Sequence, residues 1–195
     1  MWVALHEAAH KFVLSVPHVA ARIDDLLIAF ASNFTPNPLA IEEHFGGLDL
    51  DANPSQLANI SEVFSNPEVL LGAATNDAQR EIQASLSAVI AAVVGYVDHL
   101  MDRVGESLIS SYGQVTEALR RRRVEADASD RFVERLLGLE LSQDSYDRAG
   151  RFIAGVHERA GGDGLTQLWS APNHLPTPPE IDAPGLWLAR IELDN

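Results

Sequence analysis

Apolar positions recur at helical spacing along most of the chain, and no stretch alternates long enough to define a strand. In the opening segment Trp2, Val3, Leu5, Ala8, Ala9, Phe12, Val13 and Leu14 leave almost no solvated face on a helix. That helix should stop near Ser15-Val16-Pro17, because proline disfavours helical geometry in the residue before it. Residues 18–33 predict a second helix packed back on the first. Its Val19, Ile23, Leu26, Leu27 and Phe30 share one face, with Arg22, Asp24 and Asp25 opposite.

From residue 35 to 76 the pattern is cut by Pro36, Pro38, Gly46, Gly47, Pro54, Pro67 and Gly72, which predicts short helices between turns, one of them from Asn53 through Phe64. The longest helix is expected over residues 77–103, with Asp77 as its N-cap. Ile82, Leu86, Val89, Val93, Val97, Leu100, Met101 and Val104 form its broad apolar face. Another row, Ser87, Ala91, Val94, Asp98, Asp102 and Gly105, is small enough for close helix approach and carries two acids that need a cation, a donor or water. Further helices are expected over 105–123, 130–139 and 142–160, the last ending at Gly161-Gly162, with a short helical segment over 163–169.

Residues 170–179 hold Pro172, Pro176, Pro178 and Pro179 and predict an extended, semi-rigid strap. Residues 180–191 close the chain with Trp187, Leu188 and Ile191 available for packing. The expectation is therefore one mainly α domain over residues 1–195, its opening helix on a long central helix and a proline-rich extended strap near the C-terminus.

Composition adds limits to that picture. Hydrophobic residues make up 46% and charged residues 22%, as in a globular protein. The formal charge of −14, from 28 acids and 14 bases, argues against nucleic acid and anionic membrane surfaces as partners. Within so acidic a chain, the run Arg120 to Arg123 neutralises local acids or a helix C-terminus. The longest apolar run, Leu86 to Val97, is too short to span a bilayer, and no basic region with a cleavable apolar core opens the chain. A soluble, cytoplasmic protein is expected. No cysteine is present, so a metal would have to be held by histidine and carboxylate.

Such a metal has an evident candidate site. His6-Glu7-Ala8-Ala9-His10 places two imidazoles four residues apart on one helical face, within reach of one zinc ion. Glu7 beside them is the candidate base for activating a water molecule. The plainer reading makes all three ordinary polar positions, with Glu7 paired to Lys11 at i,i+4. The apolar flanks oppose it, since they would bury the three groups and so require partners for them. His44, beside Glu42 and Glu43, is a further possible ligand that a surface helix face explains more simply.

Several stretches together resemble a bacterial family of zincin-like hydrolases, zinc-dependent metallopeptidases also associated with deazaflavin coenzyme biosynthesis. They are Trp2 to His10 with Val16-Pro17, Gly95 to Gly105, Arg120 to Arg123, Leu136 to Leu139, Tyr146 with Gly150 and Phe152, Leu168 to Pro172, Leu175 to Thr177, and Glu180-Ile181. The resemblance implies a zincin-like helical domain, zinc on His6 and His10, and Glu7 as the catalytic base.

Two departures qualify what it implies. Where that family reads Leu-Glu-Gly-His-x-Asp on the long helix, this chain reads Val93-Val94-Gly95-Tyr96-Val97-Asp98, so the expected third ligand is Val94. Asp98, one turn along the same row, is the first replacement, as a ligand or as a hydrogen-bond partner of a histidine ligand. His99, which points about 100° away, and Asp102 follow it. Tyr96 is either a packed core residue or a donor to a tetrahedral oxyanion. The second departure is that family members carry a segment before the histidine helix, so these residues are expected to correspond to the C-terminal portion of that architecture.

Two functions follow. One is a zinc metallohydrolase acting on a peptide or amide bond. The other is a non-catalytic helical interaction protein derived from such an enzyme, docking a partner through the strap or the arginine run.

Overall fold

The computed structural model describes residues 1–33, 76–124 and 143–193. The expected helices over 53–64 and 130–139, and His44, lie outside them. Helices are the only regular elements among the described residues.

Helix α1, Trp2–Leu14, and helix α2, Pro17–Ser32, meet at the predicted break. The Ser15 hydroxyl donates to the Phe12 carbonyl at 2.7 Å, and Val16 is extended ahead of Pro17, which takes the first position of α2. Helix α3, Asp77–Leu108, is the 32-residue centre of the fold. Its cap is Asn76 and not Asp77: the Gln79 amide donates to Asn76 Oδ1 at 2.8 Å, and Gln79 Oε1 accepts from the Asn76 amide at 3.3 Å. Asp77 sits in the first turn and pairs with Arg80.

At its other end α3 passes the expected stop at Arg103. The ring of Tyr112 lies where a Cβ on Gly105 would be, so Gly105 serves as a packing position inside α3, and helix α4, Tyr112–Val124, starts seven residues later than Gly105. Along α4, Arg121 pairs with Glu117 at 3.0 Å.

Three clusters form around α3. Leu86 and Val89 pack with Leu26 of α2, while Val93, Val97 and Met101 pack with Val13 of α1 and Val19 of α2. On the remaining side Ala88 and Ala92 meet Phe152, Ile153 and Val156 of helix α5, Gln143–Gln167. A Cβ on Gly95 would lie 2.5 Å from the Ala149 carbonyl oxygen, so backbones touch there. The close approach thus uses the row Ala88, Ala92, Gly95 and His99, one position on from the row expected. The stretch Asp77–Gly105 is long and apolar enough to cross a bilayer by length and composition; in this fold α1, α2 and α5 pack against it.

Helix α5 is two helices joined at Gly161, whose φ of 64° and ψ of −157° only glycine adopts readily. This is where the Gly161-Gly162 pair predicts the stop. The strap is less extended than predicted. Pro172–His174 forms a 3-10 turn, and Pro178–Ile181 is the short helix α6, leaving residues 175–177 extended. Proline's fixed φ suits the first turn of a helix as well as an extended strand, and Pro172 and Pro178 take the helical option. Helix α7, Pro184–Leu193, then clasps the strap: Trp187 Nε1 donates to the His174 carbonyl at 2.7 Å, and Arg190 Nη2 to the Leu175 carbonyl at 3.2 Å.

Candidate metal centre

On α1, Leu5, Ala9 and Val13 face the cluster shared with α3. Trp2, His6 and His10 form a separate row at four-residue intervals beside that seam. The Trp2 indole stacks on the His6 ring, centroids 4.7 Å apart and planes at 17°, and His6 meets His10 edge-on at 4.6 Å. Both histidines are half-buried, and Glu7 is exposed. Full burial does not follow from the apolar flanks, because Val3 and Phe12 turn to solvent, 65% and 61% exposed. The result is two imidazoles held on a rigid helix at the edge of the core, with a carboxylate on the solvent side.

The α3 candidates have separate settings. Asp98 is half-buried and close enough to Tyr112 to hinder ionisation of its phenol. Asp102 Oδ1 accepts from the Tyr112 hydroxyl at 2.7 Å. Burial, reinforced by that bond, pushes the Tyr112 pKa up to about 12. His99 faces α5, where its ring lies 5.2 Å from that of His157 at 48°. Burial lowers its pKa, as do His157 and Arg103, while Asp102 acts in the opposite direction. Tyr96 packs edge-on against Trp169 at 5.1 Å, and burial raises its hydroxyl pKa.

Two imidazoles sharing a tetrahedral cation, with metal–nitrogen bonds of about 2.0–2.1 Å, place their ring centres about 5 Å apart. The 4.6 Å spacing of His6 and His10 fits that requirement as half of a zinc site. Among the described residues no three histidine or carboxylate side chains come together as a complete ligand set. Two participants escape the sequence reading, Tyr112 and His157. His157 shares a four-residue row with Ala149 and Ile153, a local signal of its facing α3; nothing local singles out Tyr112.

A sequence profile describing zincin-like metallopeptidases matches residues 1–188. The chain belongs to the zincin-like metallopeptidase family. That family implies zinc in general terms, in keeping with the His6–His10 pair. No curated protein matches the chain. Among solved structures, a candidate hydrolase with a novel fold from Chloroflexus aurantiacus is similar, at 24% identity and a TM-score of 0.53. The likeness covers 78% of this zincin-like chain and 55% of that one, so the chain spans just over half the length of that structure. At this identity the likeness concerns architecture.

Proposed function

We propose that the chain is a zinc-dependent hydrolase acting on a peptide or amide bond, with His6 and His10 holding the metal and Glu7 moving the proton. The observation that carries this reading is the paired imidazoles on one row of α1, 4.6 Å apart with Glu7 beside them, in a chain of this family. When bound, zinc supplies Lewis acidity, acidifying a water molecule and polarising a scissile carbonyl. Trp2 stacked on His6 restrains that ring's orientation. The Glu7 carboxylate, on the solvent side of the pair, takes a proton from the attacking water and returns it to the departing amine nitrogen. Of the α3 candidates for a third ligand we retain Asp98, because Asp102 is bonded to Tyr112 and His99 is turned to α5. The net charge of −14 favours solubility and opposes nucleic acid or an anionic membrane as partner, and a cytoplasmic setting is part of the same proposal.

Val94, standing where the family's glutamate is expected, together with the lack of a three-ligand group among the described residues, favours a second reading. In it the site is degenerate and the domain serves as a helical interaction module. Glu7→Gln tests the first reading: hydrolysis of a peptide and amide panel should be abolished while zinc affinity persists. His6→Ala with His10→Ala should remove that zinc and the activity together. Hydrolysis that persists in Glu7→Gln overturns the catalytic assignment, and partner binding that survives loss of both histidines supports the module.

A further inference from the structure

The row of α3 that meets α5 is Ala88, Ala92, Gly95 and then His99. Its small members bring the two backbones together at Gly95 and Ala149, and one turn further the same row delivers the His99 imidazole against α5. The ring it meets is His157, at a centroid separation of 5.2 Å. A tetrahedral cation shared by two imidazoles requires about 5 Å. Each histidine is half-buried, so solvent reaches the pair and water could complete a coordination sphere.

We propose that His99 and His157 form a second metal site, a two-histidine clamp across the α3–α5 seam that takes a late first-row divalent cation, zinc, nickel or copper(II). Imidazole nitrogen suits these cations and disfavours calcium and magnesium, which prefer oxygen. Asp102 supplies a compensating negative charge, while Arg103, exposed and able to extend into water, opposes the cation. The clamp joins residues 58 positions apart in the chain, so an occupied site staples α3 to α5. It does not depend on the α1 site, because none of its ligands is shared with His6, Glu7 or His10.

The test uses the full chain carrying His6→Gln and His10→Gln, so that the α1 pair cannot contribute. Calorimetric titration with nickel or zinc should give one equivalent per chain and a raised melting temperature. Adding either His157→Gln or His99→Gln should weaken binding at least tenfold and remove the thermal shift. In the unaltered chain, the imidazole NMR signals of His99 and His157 should shift together on adding zinc, a readout that needs no further substitution. No binding in the His6→Gln, His10→Gln chain, or binding that survives His157→Gln within twofold, overturns the proposal.

Discussion

Arg190 closes on Glu180 with two prongs, Nε 2.6 Å from Oε1 and Nη2 3.0 Å from Oε2, although the glutamate is only 3% exposed. The same guanidinium bonds the carbonyls of Asn173 and Leu175, so one side chain ties α6, α7 and the strap together. Removing it leaves a buried carboxylate without its counter-charge, which costs about 3–5 kcal/mol in comparable pairs. Arg190→Ala should lower unfolding stability by about that amount in urea titration. Arg190→Lys should recover only part of it, since an ammonium cannot reproduce the planar fork.

The acid limb of stability should follow from the same pair. Burial raises the Glu180 pKa, but the bonds from Arg190 and from Thr177 outweigh it, and the net shift is downward. The unfolded chain therefore takes up this proton at higher pH than the folded one. Its stabilisation is full above the unfolded value, about 4.3, and disappears as pH falls through the lower folded value. Melting temperatures measured from pH 7 to pH 3 should drop on the acid side, and Glu180→Gln should flatten that drop while lowering stability at neutral pH.

Backbone contact at Gly95 predicts a sharp contrast between glycines. A methyl group there would meet the Ala149 carbonyl, so Gly95→Ala should cost about 1–3 kcal/mol as an overpacked position. Gly150→Ala, on α5 with open space around it, should be neutral or stabilise by up to about 1 kcal/mol through helix propensity. Gly161→Ala has the space but not the backbone, since φ of 64° strains an L-residue, and should destabilise. Chemical denaturation of the three variants distinguishes these cases.

Tyr112 should titrate well above an ordinary tyrosine. Its pKa of about 12 rests on burial first and on Asp102 second. In a phenolate absorbance titration, Asp102→Asn should move this transition downward while leaving it above the ordinary value of about 10 because burial remains. An unchanged transition would remove Asp102 as its partner.

Local signals carried much of the fold. Pro17 and Gly161 mark their helix breaks because each restricts or frees its own backbone, and the apolar row Leu86, Val89, Val93, Val97 and Met101 lies in the core as its spacing requires. The choice of neighbour is not a local property. Gly105 reads as a helix start until the Tyr112 ring occupies the space beside it, and the prolines of the strap permit two conformations between which tertiary contacts such as the clasp by Trp187 and Arg190 decide. At the candidate centre, the spacing of His6 and His10 follows from helix geometry alone. The partners of Asp102 and His99 depend on α4 and α5, which no pattern near residue 100 specifies.

The strap's dependence on α7 has a practical side for anyone shortening this protein. Residues 184–193 resemble a dispensable terminal helix in sequence, ending in a Leu193 that is 87% exposed. Yet Trp187 and Arg190 supply the donors that satisfy carbonyls at 173, 174 and 175. A boundary drawn before residue 187 would therefore unlatch a segment more than ten residues upstream, strip the cover from Phe152 of α5, and deliver an expression failure where a trimmed but intact domain was wanted.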